Sequence, residues 1–427
     1  MSVETFGQFN SATAIPLVDV TVVMPCLNEA QCLAACIANA REALAMIEQS
    51  YGLSGEILIA DNGSTDGSQE IAISNGARVH PVPVRGYGAA LIAGGHAARG
   101  RFIVMGDADG SYDFRESVAM VGELLAGADL CMGSRFKGGI QAGAMPWKNR
   151  YIGNPVLTGL LNIMFRAGIS DAHCGLRAVR KEAFQQMRLS GTGMEFASEM
   201  VIKAALQKRR IAEVPATLSP DLRDRAPHLR PWRDGWRHLR YLFMLSPISV
   251  FAAPAAAGMA VAALILGMAI LQALVPALQP FFGNYWVIAA CATAALSHQA
   301  MILGLAAHLY GVREGYRPRG RGTAGLARFM SLETMLISGF ALAAAGLAVL
   351  VGVSLSWTAR GFAPVHSVLP ASGGTLLLTL GFQNIFGGFL LSVIGGNEAR
   401  FLAPTTGSDD ALAPPVVPPL PIAARSA

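Results

Sequence analysis

The sequence predicts a mainly parallel α/β domain followed by interfacial helices and four membrane-spanning helices. Three observations carry that prediction. Short, near-continuous apolar runs alternate with segments of helical period between Val18 and Met132. Four successive apolar runs end in glycine or polar residues, the position at which open parallel sheets collect ligands. Finally, hydrophobic residues make up 52% of the 427 residues and charged ones only 14%, with long charge-free runs after Tyr241. These shifts divide the chain into an extension (1–17), an α/β domain (18–222), a juxtamembrane helix (223–247), a membrane domain (248–394) and a Pro-rich tail (395–427).

Strands are expected at Val20–Pro25, Glu56–Ala60, Ala77–Val82, Phe102–Met105 and Asp129–Met132, and helices at Glu29–Glu48, Ser68–Ser74, Ala89–Ala98 and Glu116–Leu125. The first strand leads into Cys26-Leu27-Asn28-Glu29. The second leads into Asp61-Asn62-Gly63-Ser64-Thr65-Asp66, where Asp66 or Thr65 is placed to cap the next helix. The third leads into Arg85-Gly86-Tyr87-Gly88. This is an incomplete dinucleotide fingerprint, because Leu91 stands where the third glycine belongs and the motif follows the third strand, not the first. The fourth ends in Gly106 and delivers Asp107, Asp109 and Asp113.

Two carboxylates one residue apart at a strand end suit a hard divalent cation that also takes phosphate and water oxygens. A solvated acidic turn is the alternative that this stretch alone leaves open. A calcium loop of the EF-hand kind is excluded, since the sixth position from Asp107 is Tyr112 and the twelfth is Val118. Four ligand-bearing strand ends in succession describe one shared site better than four unrelated turns.

The series MPCLNEA, ADNGSTDGS, RGYGAAL and MGDADGSYDF resembles glycosyltransferase family 2, of GT-A fold, and within it the dolichol-phosphate mannose synthase-like polyprenyl-phosphate glycosyltransferases. The likeness extends over Val18–Leu245. It implies a nucleotide-sugar donor (UDP- or GDP-linked), a polyprenyl phosphate acceptor, Mg2+ or Mn2+, and inversion at the anomeric carbon. Pro25, Asn28, Glu29, Asp61, Asn62, Ser64, Arg85 and Gly86 would then line the nucleotide pocket. Asp107 and Asp109 would be the DxD pair, with Asp109 on the metal and Asp107 close to ribose and phosphates as well. Family members often carry Gln where this chain has Ser111, a shorter ligand, which gives Asp113 added interest.

After the fifth strand come Gly133-Ser134-Arg135 and a glycine-rich stretch, Gly138–Gly143, expected to be a mobile loop before Lys148, Asn149 and Arg150. Trp147–Arg166 has helical period but is apolar over most of its circumference, which fits an interior helix or one in the lipid interface; its aromatic and basic ends favour the interface. The resemblance implies that Arg135, Arg150 and Asn154 hold the acceptor phosphate, a task suited to guanidinium forks. It also implies that Asp171 and Arg177 of SDAHCGLR belong to a turn closing over the donor; His173 has no obvious counterpart, and is either structural, as lone histidines more often are, or an acceptor-side residue. Glu195 and Glu199 lie one helical turn apart, as solvated acids commonly do, and the resemblance makes either one a partner for sugar hydroxyls. Ile211–Leu218 is a further strand.

Arg223–Arg240 interleaves six arginines with Trp232 and Trp236 directly before an apolar segment. That placement favours a headgroup-level helix over nucleic-acid binding. Ile248–Leu274, Tyr285–Tyr310, Met335–Trp357 and Gly373–Ile394 are each long enough to cross a bilayer. The loop between the second and third spans carries Arg313, Arg317, Arg319, Arg321 and Arg328 against Glu314, so the positive-inside rule places it, the α/β domain and the C-terminus in the cytoplasm, at a plasma (inner) membrane. No cleaved signal is expected, since the first residues carry Glu4 and Asp19 and no apolar core. The six cysteines form no CxxC and are expected as buried small hydrophobes. His298 and His308 are too few for a proton-coupled transporter, and a homo-oligomer through the membrane helices is an open expectation. A polysaccharide synthase of the same fold would carry QxxRW, whereas His228–Trp232 reads HLRPW; the intact aspartate pair argues against a non-catalytic scaffold.

Overall fold

The computed structural model describes residues 18–223, 231–275, 282–314, 317, 331–364 and 367–395. The extension, Arg225, Arg230, Arg319, Arg321, Arg328 and the Pro-rich tail lie outside the described residues.

Eight strands form one sheet: β1 (Val20–Cys26), β2 (Gly55–Asp61), β3 (Arg78–Pro81), β4 (Phe102–Met105), β5 (Leu130–Ser134), β6 (Gly139–Ile140), β7 (Arg177–Arg180) and β8 (Ile211–Leu218). The order is β3-β2-β1-β4-β7-β5-β8-β6, parallel throughout except β7, which is antiparallel to both β4 and β5. Alternation along each strand sorts the apolar residues to two faces. Val22, Met24, Ile57, Ile59 and Val104 pack on α1 (Ala30–Tyr51) and α4 (Ser117–Leu125). Val23, Leu58, Ile103, Met105 and Met132 pack on α3 (Tyr87–Ala97), α7 (Lys181–Met187) and α8 (Phe196–Leu206). Helices on both faces make the layered α/β architecture that the strand–helix alternation predicts, and all six cysteines are buried and free. The other short helices are α2 (Ser68–Ser74) and α5 (Arg135–Gly138).

Two expectations are corrected. The Gly138–Gly143 stretch is not a free loop, because Gly139 and Ile140 pair with Thr217 and Leu218 of β8. The turn ending at Arg177 continues directly into β7, which fills the gap between β4 and β5.

One wide helical turn (Asn149–Gly153) leads into α6 (Asn154–Phe165). Leu161 and Phe165 enter the second core while Tyr151, Ile152, Val156 and Ile163 stay exposed, so this segment is both an interior helix and an apolar outer surface. The helix α9 (Pro231–Met244) is likewise two-faced: His238 and Leu242 are buried, Trp236 and Met244 exposed. A π-type turn (Ile248–Ala252) opens the membrane domain, followed by α10 (Ala253–Leu274), α11 (Asn284–Arg313), α12 (Leu332–Ala359) and α13 (Leu369–Gly395). Length and apolarity make four candidate spans among the described residues. Close approach of α12 and α13 depends on glycine, since a Cβ on Gly346 would lie 2.5 Å from Leu378 N and one on Gly381 2.6 Å from Ala343 N.

Candidate active site

The carboxyl ends of β1 to β5 open on one cavity of about 940 Å³, walled on its far side by α6, α9 and the 170–177 turn. Of the residues singled out in the sequence, Pro25, Glu29, Asn62, Arg85, Gly86, Asp107, Asp109, Ser111, Arg135, Asn154 and Arg177 line it.

His173 lines it too, whereas Asn28, Asp61 and Asp66 are outside its lining and hold the loops that carry it. Asn28 adopts a left-handed conformation (φ 59°), in which its Oδ1 accepts the Thr65 N–H at 2.8 Å and its own N–H donates to Ser64 Oγ at 2.9 Å. Asp61, 2% exposed, accepts the N–H groups of Gly63 and Ser64 and the Gln69 amide at 2.7 Å. Asp66 stitches the same loops together by accepting the Ala30 and Ser68 N–H groups. Together they fix the two loops after β1 and β2. Asn62 does line the cavity, but its amide is committed: Oδ1 accepts the Gly86 N–H at 2.7 Å, and Nδ2 donates to Val82 O and Val84 O.

Asp107 and Asp109, both half-buried, face each other's charge. Burial and then the neighbouring Asp109 carboxylate push the Asp107 pKa up, opposed by the Tyr87 hydroxyl, Arg177 and Arg223. Asp109 accepts the Ser111 N–H at 3.0 Å through Oδ1 and Arg223 Nη2 at 2.8 Å through Oδ2. Arg223 also meets Asp221 at 2.9 Å and Glu29 at 3.3 Å. The backbone after β8 is strapped onto the DxD loop, with Ser219 N–H on Ser111 O and Leu222 N–H on Asp109 O. Asp113 is aimed elsewhere: its carboxylate takes Arg115 and Asn39, and the Arg115 bonds bring its pKa down to about 2.

After β5, Arg135 is buried with its Nε and Nη2 on Asp171 at 2.6 and 2.8 Å. Burial acts against its charge and the Asp171 carboxylate more than offsets this, so the guanidinium stays protonated. That bidentate pair leaves Nη1 as its remaining donor nitrogen. Arg150 does not reach the cavity wall; its guanidinium lies 5.5 Å from the Tyr151 ring centroid. Arg177, 1% exposed, sits over the Phe196 ring and donates to Ala197 O and Cys174 O.

Glu199 on α8 and Glu195 just before it both have their carboxylates committed within the protein. Glu199 is fully buried, paired with Lys203 at 2.7 Å, and accepts the N–H groups of Ser190 and Gly191. Glu195 Oε1 accepts the Gly193 N–H at 3.0 Å. They shape the 190–193 loop, of which Gly193 reaches the cavity. Sequence reasoning missed Tyr87 and Tyr112 as wall residues, and it read the whole Arg223–Arg240 run as lipid-facing although Arg223, Arg233, Arg237 and His238 line the cavity. The signal available was the arginine's position, five residues past a strand that ends at the site.

Two family descriptions match the chain: glycosyl transferase family 2 over residues 21–188, and the glycosyltransferase family 2 C-terminal transmembrane region over residues 305–395. The low-salt glycan biosynthesis hexosyltransferase Agl6 of Haloferax volcanii is 35% identical over 88% of this chain and 89% of its own length. The polyprenol monophosphomannose synthase of Mycolicibacterium smegmatis is 29% identical over 49% of this chain and 80% of its own, and a dolichyl-phosphate hexose transferase of Haloferax volcanii is 31% identical over 46% and 81%. Glucosyl-3-phosphoglycerate synthase of Mycobacterium tuberculosis, solved with Mn2+, UDP and glucosyl-3-phosphoglycerate, gives a TM-score of 0.40 at 23% identity over 55% of this chain and 80% of that one, a likeness too slight to argue from.

Proposed function

The chain belongs to glycosyltransferase family 2, and we propose that it transfers a hexosyl group from a UDP- or GDP-sugar to a polyprenyl phosphate at the cytoplasmic face of the inner membrane. It is an integral membrane glycosyltransferase; the donor, the acceptor and the orientation are the proposal. One observation carries it: a single cavity is lined by a half-buried aspartate pair after β4 and by a buried, carboxylate-held arginine after β5, with Arg233 and Arg237 of the juxtamembrane helix in the same wall. The names of two relatives, a polyprenol monophosphomannose synthase and a dolichyl-phosphate hexose transferase, support the acceptor class.

The donor set fits a divalent cation. Asp107 and Asp109 are hard oxygen ligands, the Asp107 pKa is raised by burial first and then by the Asp109 charge, a cation would relieve that repulsion, and Ser111 is the neighbouring hydroxyl. Mg2+ or Mn2+ held there would neutralise charge on the diphosphate leaving group. The acceptor phosphate is ionised at neutral pH, so its oxygen attacks without a strong base. The bond from phosphate oxygen to the anomeric carbon forms as the bond to the nucleoside diphosphate breaks, with inversion. Arg135 Nη1 and Asn154 would hold the attacking phosphate, and Asp171 keeps the Arg135 fork in plane. Tyr87 donates to Asp107 and holds that carboxylate in place.

The test supplies membranes containing the full chain with labelled nucleotide-sugars and polyprenyl phosphate, and follows label into the lipid fraction. Asp109→Ala is expected to lower transfer by at least a hundredfold, about 2.7 kcal/mol of transition-state stabilisation. Transfer unchanged by that substitution sinks the reading.

A further inference from the structure

His173 has no task in the reaction outlined above, yet the fold holds it in the wall of the same cavity. Its backbone N–H donates to Asp171 Oδ1 at 3.2 Å, the carboxylate that clamps Arg135, and its ring lies within the electrostatic reach of that guanidinium. Its Nε2 lies 3.1 Å from Ser198 Oγ on α8, and the same hydroxyl lies 2.8 Å from His238 Nδ1 on α9. The two rings meet edge to face, with centroids 4.7 Å apart. The 170–177 turn, α8 and the juxtamembrane helix are thereby joined by three side chains.

A serine hydroxyl has one proton, so the relay runs in one direction at a time. When His238 Nδ1–H donates to Ser198 and Ser198 donates to His173 Nε2, the proton of a neutral His173 sits on Nδ1. Burial first, then His238, Arg135 and Arg177, push the His173 pKa well down, so the ring is neutral. Its Nδ1 is buried and makes no hydrogen bond. Leaving such an atom unpaired is unfavourable, and unpaired buried atoms in native proteins call for an explanation. A ligand oxygen drawn between Arg135 and Arg177 is anionic, and an N–H donor beside it suits that oxygen.

We infer that His173 Nδ1–H is a third hydrogen-bond donor to the acceptor phosphate, alongside Arg135 and Asn154, and that Ser198 and His238 are positioning residues that select the tautomer. This rests on the polyprenyl-phosphate reading of the cavity. It gives His238 of the juxtamembrane helix a direct link to the acceptor-binding atom, so the docking of that helix and the affinity for the lipid phosphate are coupled.

The test uses the purified full chain in detergent and citronellyl phosphate as probe, with citronellol, inorganic phosphate, and UDP or GDP plus Mn2+ in parallel. Wild type binds citronellyl phosphate and not citronellol. His173→Ala weakens that binding about tenfold to a hundredfold, the range for a hydrogen bond to a charged group, with nucleotide binding unchanged. His173→Asn, whose amide nitrogen falls near the Nδ1 position, recovers most of the affinity, and His173→Gln, whose amide falls near Nε2, does not; this pair also decides the matter if the alanine variant does not fold. Ser198→Ala, which frees the tautomer, gives a smaller loss in acceptor affinity and none in nucleotide affinity. Equal citronellyl phosphate affinity in wild type and His173→Ala overturns the inference, as does a loss confined to nucleotide binding. A wild type that binds nucleotide but no citronellyl phosphate overturns the acceptor reading itself, and the role of His173 with it.

Discussion

Replacing Glu199 by glutamine separates a carboxylate that builds the site from one that touches the sugar. Glu199 and the Lys203 side chain are almost wholly buried, their ion pair measures 2.7 Å, and the carboxylate also accepts Ser190 N–H, Ser190 Oγ–H and Gly191 N–H, the last at 2.7 Å. Glutamine keeps the shape and one acceptor oxygen but removes the negative charge, leaving the lysine cation buried against neutral oxygens such as Arg188 O at 2.6 Å. Breaking one side of such a pair costs about 3–5 kcal/mol. Burial raises the Glu199 pKa, but the bonds from Lys203 and the loop N–H groups outweigh it and bring it below the ordinary value. The carboxylate's contribution is therefore full above the unfolded pKa of about 4.3 and is lost as pH falls through the lower folded value, so the gap between wild type and Glu199→Gln narrows in acid. Unfolding midpoints of the detergent-solubilised chain between pH 7 and pH 3 measure this. Adding Lys203→Met removes the stranded cation and restores part of the loss, a coupling that a double-mutant cycle reads directly. Wild-type stability in Glu199→Gln, together with reduced donor affinity, would place the carboxylate on the sugar and refute its structural role.

Three further outcomes follow from the same geometry. Gly88→Ala adds a Cβ that collides with Gly191 O and lies 2.8 Å from both Gly193 O and Phe196 Cβ; the loop must move, and we expect about 1–3 kcal/mol lost in unfolding measurements, with lower transfer activity. Arg135→Lys keeps the charge but gives up the two-pronged bond to Asp171, so the acceptor KM should rise about tenfold while the nucleotide affinity holds; an unchanged KM would remove Arg135 from the phosphate site. Arg223→Gln removes a cation from Glu29, Asp109 and Asp221, so Mn2+ titrated without nucleotide should bind about tenfold more tightly by paramagnetic resonance, and equal or weaker binding would show that Arg223 does not compete with the metal.

Period and punctuation made much of the fold legible. Runs such as Glu56–Ala60 and Phe102–Met105 are too apolar to be anything but buried strands, and each stops at glycine or acid close to where the structure ends it. β7 escaped because Arg177–Arg180 has arginine at both ends and offers no apolar run. Its burial depends on Arg180 donating to Ala128 O and on the Arg177 bonds to Cys174 and Ala197, partners no local pattern announces. The same holds for the site. Asp107 and Asp109 were visible from their position at a strand end. That Arg135 belongs with Asp171, 36 residues on, or Arg223 with Asp109, 114 residues back, is a property of the folded chain. The burial of Glu199 was not legible because a one-turn acidic pair is ordinarily solvated, and only the folded chain sets it behind the 190–193 loop.

The insertion of β7 is what turns two half-sites into one. A purely parallel succession would set β5 beside β4 and leave the turn at 170–177 outside the sheet. With β7 between them, Met105 is paired with Arg177 and Met132 with the same residue from the other side, so the turn leading into β7 must lie over the carboxyl ends of both strands. Asp107 follows β4 by two residues, Arg135 follows β5 directly, and Asp171, His173 and Arg177 come from the turn that separates them. Carboxylates that suit a cation and its diphosphate are thus set against guanidiniums that suit a lipid phosphate, at the spacing of one strand. An antiparallel strand of four residues, invisible to hydrophobic periodicity, therefore brings the aspartate pair and the Arg135–Asp171 pair, between which the proposed transfer would run, into one cavity wall.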